Sequence, residues 1–184
     1  MSDKPFYKTE QVIIRICEKL DKHETFGATL LNKILYYIDN VHYVKYGVPI
    51  TELTYIGQDK GATPEPSIFL KIRDGLIREK KAELLEVEYF GRIQKRLVTK
   101  IEPDLECFKA EEIALIDDII DLLKNMNATE ISDLSHLQMS WKVAKDKEEL
   151  PFYTFLLSED TITDEDISWA KNTITQRRNV YSNP

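Results

Sequence analysis

Apolar residues recur at helical spacing through most of this chain and at strand spacing in one region, and that contrast predicts the elements. Val12, Ile13, Ile16, Cys17 and Leu20 form one stripe, predicting a helix over 9–22 with Thr9 as its capping residue. Leu30, Leu31, Ile34, Leu35, Ile38 and Val41 predict a stronger helix over 27–45, stopped by Gly47 with Pro49 close behind. His42 borders that apolar face and reads as a hydrogen-bonded rim histidine. Tyr36, Tyr37, Tyr43 and Tyr46 spread aromatic surface around the same helix, so it suits either a partner or a central position packed on two sides. A third helix is predicted over 65–78 from Ile68, Phe69, Ile72, Leu76 and Ile77, with Gly75 weakening it or marking its end.

The period then changes. Leu85, Val87 and Tyr89 alternate with Glu86 and Glu88, and Leu97, Thr99 and Ile101 alternate after Gly91. This predicts a hairpin turning near 90–92, with Glu86 and Glu88 facing Lys95, Arg96 or Lys100. Helical spacing returns over 110–124, where Ile113, Ile116, Ile120 and Leu123 make one stripe and Leu115, Ile119 and Leu122 a second. Two stripes predict deep burial. Asn127 and Glu130 have capping-box spacing before a short helix containing Ile131 and Leu134. After Trp141 comes a loop and a short apolar segment, then a last helix from Thr163 to about 177. Upstream, 54–56 reads as a short extended segment, and the glycines and prolines of 57–66 read as loop. The fold expected is predominantly α (α+β): a single compact helical domain with one antiparallel hairpin over 1–158. Residues 159–184 are expected as a C-terminal helix and tail packed on the same domain.

Composition narrows the function more than the fold. The chain has 184 residues, 42% hydrophobic and 31% charged, an ordinary globular balance. No apolar run approaches the ~20 residues that span a bilayer, and no secretory signal is read at the start, so a cytoplasmic protein without a membrane partner is expected. A net charge of −7 opposes non-specific binding to nucleic acid. Cys17 and Cys107 are far apart and read as free thiols, and His23, His42 and His136 are scattered, so neither metal nor cofactor is expected. Asp117, Asp118 and Asp121 read as a solvated helix face. No Walker, GxGxxG, HExxH or GxSxG pattern occurs, and Ser135 and His136, being adjacent on a helix, point about 100° apart. No catalytic residue is expected, and a non-enzyme is the reading.

Three segments carry more: "LLNKILYYIDNVHYVKYGVPIT", "TYIGQDKGATPEP" and "LSHLQMSW". In this order and spacing they resemble the Panacea (SocA-like) family of antitoxin domains, over about residues 10–155. Lys33, Leu35, Tyr36, Asp39, Gly47, Pro49 and Ile50 match the first motif, Tyr55 and Gly61 the second, and Leu134, His136 and Trp141 the third. Ala62 and Ser140 stand where the family carries prolines. The resemblance implies a cognate protein toxin as partner, neutralised by direct contact, with delivery to AAA+ protease machinery as a route within the family and with phages or mobile elements as possible sources. It makes Lys33, Tyr36, Asp39, Tyr55, His136 and Trp141 the candidate partner-binding or motif residues. For His136 and Trp141 the first expectation is structural, with the indole N–H meeting a carbonyl. The alternative function is a winged-helix-like DNA-binding regulator, because helix, helix and hairpin follow in order and Arg92, Lys95, Arg96 and Lys100 sit on the hairpin.

Overall fold

The computed structural model describes residues 5–157 and, beyond them, 163–165, 167–169 and 171–173. Its elements run α1 (Tyr7–Leu20), α2 (Ala28–Tyr46), β1 (Tyr55–Ile56), β2 (Thr63–Pro64), α3 (Pro66–Arg78), β3 (Ala82–Tyr89), β4 (Arg92–Thr99), α4 (Ala110–Leu123), α5 (Ala128–His136) and α6 (Met139–Val143). Single 3-10 turns lie at Leu105–Cys107 and Phe152–Leu156.

The molecule is organised around α2. This helix packs against α1, α4, α5 and the 152–156 turn, and it meets β2 and β4 as well. Ile34, Leu35, Tyr36 and Ile38 are fully buried, and so are the polar Lys33 and Asp39. Of the two expectations for α2, the central helix is the one observed. Gly47 ends it in the left-handed region (φ 79°), its N–H donating to Tyr43 O at 2.8 Å, a conformation glycine adopts without a Cβ penalty. His42 is the hydrogen-bonded rim histidine foreseen, with Nδ1 2.6 Å from Val48 O.

α1 begins two residues earlier than expected, and Thr9 does not cap it. Phe6 holds the N-cap position without a side-chain bond, while the first turn is tied to the loop before α4. Tyr7 OH donates to Asp104 Oδ2 at 2.7 Å, and Gln11 Oε1 accepts from Asp104 N at 2.8 Å. Thr9 is instead buried inside the helix, where its hydroxyl oxygen accepts from Glu52 N at 3.2 Å. α4 lies across α1 and is clamped by charge. Arg15 donates two bonds to Asp117, at 2.7 and 3.0 Å; Lys8 meets Glu112 at 2.7 Å. Asp117 therefore belongs to an ion-pair network and not to a purely solvated face; Asp121 pairs with Lys124 at 2.8 Å. The second α4 stripe is buried at Leu115 and Ile119 but leaves Leu122 exposed, so the helix is covered on one broad side only.

The expectation of one hairpin is corrected by a second strand pair. β1 and β2 are antiparallel, with Tyr55 opposite Pro64 and Ile56 opposite Thr63. Each strand has two residues, too few to show an alternation, so 57–66 resembled an open loop. The pair is extended by the chain after α6: Leu150 N donates to Tyr55 O, and Gly57 exchanges bonds with Lys147 and Glu148. The fold is mixed α+β with two small antiparallel sheets.

The longer hairpin forms as foreseen, with Phe90 and Gly91 both at positive φ in its two-residue turn. Its register puts Glu86 opposite Lys95, but Glu88 faces Ile93, and Lys100 pairs with Glu83 at 2.5 Å. Arg96 faces neither glutamate. It donates to Phe26 O at 2.9 Å and Glu24 O at 3.0 Å, and Gln94 reaches Thr25 O at 3.2 Å. These bonds fasten β4 to the α1–α2 turn, where a Cβ on Gly27 would stand 2.6 Å from the Gln94 side chain.

The capping box at Asn127 and Glu130 is present: Asn127 Oδ1 accepts from Thr129 N and Glu130 N, and Glu130 accepts from Asn127 N. Cys17 and Cys107 are free, and burial pushes the Cys17 thiol far above its usual range, holding it protonated. At the predicted last helix, Ile167 N donates to Thr163 O, consistent with its foreseen start. Its end and most of 159–184 lie outside the described residues, and of those described 163–165, 167–169, 171 and 172 are exposed. No described helix is long and apolar enough to cross a membrane.

Candidate functional site

Asp39 is the polar centre of the site. It is fully buried on α2 and gathers four donors from the segment that leads into β1. Oδ1 accepts from Ile50 N at 3.0 Å and Thr51 N at 2.8 Å; Oδ2 accepts from the Thr51 hydroxyl and from Tyr55 OH at 2.6 Å. Burial pushes the Asp39 carboxyl up, and these four donors pull it back by favouring the charged form. Tyr55 in turn is raised well above a free phenol by burial and by the Asp39 charge. The second motif is thereby pinned to the first.

One turn before Asp39, Tyr36 adds a ring to the same wall. It makes edge-to-face contacts with Tyr37, Tyr55 and Phe155 at centroid separations of 5.4, 5.3 and 5.8 Å. Its hydroxyl lies 3.4 Å from Ser140 Oγ, a long contact made by one of the two residues that depart from the family pattern.

Lys33 closes the other side. Its side chain is buried, and Nζ donates to Ala62 O, the carbonyl of the other departing residue. Burial lowers its pKa to about 7, because an ammonium loses hydration there. Gly61 sits in this corner at φ 86°, so tightly placed that a Cβ would come within 1.8 Å of Ser135 Oγ and 2.8 Å of Lys33 Nζ. Only glycine satisfies both the dihedral and the space.

The third motif locks the loop from outside. The His136 and Trp141 rings stack at 3.9 Å between centroids, and Trp141 Nε1 donates to Gln58 O at 2.8 Å. The indole meets a carbonyl, as the structural expectation required. Ser135 is buried against Gly61 with its hydroxyl donating to Ser132 O at 2.8 Å. His136 Nε2 is buried without a hydrogen-bond partner, as is Tyr37 OH.

The six candidate residues are thus brought together around one short segment, 50–64. Lys33, Tyr36, Asp39 and Tyr55 face inward and are buried; His136 and Trp141 are half-buried at the edge. Thr51 and Gln58, which supply bonds, are missing from the candidates, and Ser135, which stands at the family's small hydroxyl position, supplies the close contact to Gly61. Among the described residues no group of three or more His, Cys, Asp or Glu side chains could hold a metal ion.

No curated protein and no solved structure gives a match. The antitoxin SocA-like, Panacea domain family matches residues 31–142, from the first buried turns of α2 to the residue after Trp141. That span is more than half of the chain and includes every matching residue named in the three motifs, so the chain belongs to the SocA-like, Panacea-domain family of antitoxins.

Proposed function

We propose that this protein neutralises a protein toxin by binding it directly, and that it catalyses no reaction in doing so. The observation that carries this reading is the inward use of the family motif. Lys33, Asp39 and Tyr55 spend their polar groups on the chain's own backbone and side chains, and Trp141 does the same. A motif used in this way builds a scaffold, leaving recognition to outward-facing residues that can differ from one partner to the next. Two of the four hairpin cations are engaged within the chain, Arg96 by carbonyls and Lys100 by Glu83, which counts against a hairpin that reads DNA.

The test is co-expression with the product of the adjacent gene. Restored growth together with a co-purifying complex is the expected result, and toxicity unchanged by the chain would overturn the reading. Growth restored with loss of the toxin, dependent on an AAA+ protease, would place this protein among adaptors that deliver their toxin. A salt-sensitive shift of upstream DNA would favour the regulator instead.

A further inference from the structure

Away from the motif, a cavity of about 220 Å³ opens between α2, α3 and the root of the β3–β4 hairpin. Its floor is apolar, built from Leu31, Phe69 and Leu97 of the core. Leu70 of α3 and Leu84 of β3 line it from the exposed side, at 38% and 37% exposure.

The charges in this lining run against those of the chain. The sequence holds 32 Asp and Glu against 25 Lys and Arg, yet among the described residues the charged ones that line the cavity are two cations, Arg73 and Lys95. They come from different elements, α3 and β4. Lys95 is exposed and has no ion pair among the described residues, although the ladder sets Glu86 opposite it. Arg73 gives Nε and Nη2 to Asp74 Oδ1, at 2.8 and 2.7 Å, and Nη1 stays uncommitted among the described residues. Neither Asp74 nor Glu86 lines the cavity.

Two cations beside an apolar recess select an occupant that has an apolar body and a carboxylate next to it. A plain apolar group makes no use of the cations, and a base is repelled by them. The surroundings favour a protein segment over a free acid. Side chains alternate along a strand, so Leu97, Lys95 and Ile93 share one face of β4, with Leu84 opposite Leu97. Ile93 is 65% exposed, so apolar surface continues along that face beyond the cavity, where only a larger partner covers it.

We propose that the toxin docks here, with one of its apolar side chains filling the cavity and a carboxylate beside that side chain meeting Lys95 and Arg73. This inference rests on the toxin reading and adds to it the surface used and the chemistry of the segment that binds.

Carbodiimide treatment of the complex with the product of the adjacent gene reads the contact directly, since it couples an amine to a carboxylate in contact with it. The expected product joins Lys95 to an Asp or Glu of the toxin that has an apolar residue beside it. Lys95→Gln with Arg73→Gln should weaken the complex about tenfold and flatten its dependence on salt. Leu84→Trp, which puts a larger strand-forming side chain at an exposed rim position, should block the cavity and weaken the complex at least as much. Lys22→Gln, which removes an exposed cation past the end of α1, should change nothing. Melting curves of each variant check that the fold persists. A toxin that binds Leu84→Trp as tightly as wild type, or that gives no crosslink at Lys95, overturns this inference and leaves the toxin reading standing. So does a complex weakened by Leu84→Trp and indifferent to the cation variant, which has an apolar contact without the carboxylate. Self-association of the chain alone, lost in Leu84→Trp, assigns the cavity to a second copy and overturns it too. No binding of the toxin by wild type removes both readings.

Discussion

The β1–β2 pair has two residues per strand and is surrounded by protein, whereas the β3–β4 pair has eight per strand and reaches into solvent at its turn. In the short pair, Tyr55 and Ile56 are buried, and the chain before and after them is bonded to Asp39, Leu150 and Glu148. In the long pair, burial is confined to the root at Ala82 and Leu97, while Phe90 is 88% and Ile93 65% exposed. The short pair is imposed by tertiary contacts; the long one is held by its own ladder and by the Arg96 and Gln94 bonds to the α1–α2 turn. Substitutions should therefore cost the fold dearly around β1–β2 and hardly at all at the hairpin tip.

The largest effect is expected at Asp39. Asp39→Ala strands two backbone amides and two hydroxyls in the interior at once, and breaking such a buried network costs about 3–5 kcal/mol. For a chain of this size that is a fall of about 10 °C in Tm, measurable by calorimetry or by the midpoint of urea unfolding. A change under about 1 kcal/mol would mean that the segment 50–55 finds other partners, and the contrast between the two strand pairs would weaken.

Two glycines make the comparison sharper, because both have positive φ and differ only in space. Gly61 lies at φ 86° against Ser135 and Lys33; Gly91 lies at φ 72° in the hairpin turn with nothing within 4 Å of a built Cβ. Gly91→Ala should cost about 1 kcal/mol, the strain of a left-handed alanine alone. Gly61→Ala adds a clash with buried atoms and should cost at least about 3 kcal/mol. Equal losses in the two variants would show that the crowding at Gly61 relaxes.

This pairing also shows what the sequence made legible. The hairpin was readable because eight residues per strand are enough to display a two-residue period. α2 was readable because Leu30 through Val41 mark a stripe several turns long and Gly47 marks its stop. β1–β2 was not readable as a pair, because two residues carry no period and the partner Thr63–Pro64 looks like a turn. Local sequence makes Thr9 a cap, but α1 starts at Tyr7, where tertiary bonds of Tyr7 and Gln11 hold the helix before it. The motif residues were identifiable by family likeness, yet their inward direction was not. Lys33 and Asp39 are charged residues on a helix, and single-sequence reasoning places such residues outside unless a partner is known. Their partners are backbone groups of 50, 51 and 62 and the hydroxyls of Thr51 and Tyr55, which lie 11 or more positions away and form no local pattern with them.

Lys33 offers a pH-dependent test of the same frame. Its folded pKa is lowered to about 7 from an ordinary value near 10.5, so between those limits the unfolded chain binds the extra proton. Its contribution to stability is therefore least favourable below pH 7 and improves as pH rises from about 7 towards 10. The slope is at most about 1.4 kcal/mol per pH unit for one proton. Lys33→Met should flatten this part of the stability-versus-pH curve, at the cost of leaving Ala62 O without its donor. Urea midpoints for both proteins from pH 7 to about 9 read the difference directly. Parallel curves would show that the buried amine keeps an ordinary affinity for its proton.

The smallest stability change is expected at the hairpin tip, where it carries the most functional information. Phe90→Ser with Ile93→Thr removes two of the most exposed apolar side chains from a turn whose conformation rests on the backbone and on Gly91. Surface changes of this kind usually stay within about 0.5 kcal/mol, so Tm should hold. Apolar groups kept this far from the core contribute little to folding and have a use only if something outside covers them. Under the proposed toxin contact, the double variant should lose affinity or rescue while its melting curve overlays the wild type. Gly91→Ala, which perturbs the turn without removing either side chain, serves as the control. If rescue survives the double variant and fails only with variants that melt early, such as Asp39→Ala, the contact surface lies elsewhere and the exposed tip is an incidental end of a long hairpin.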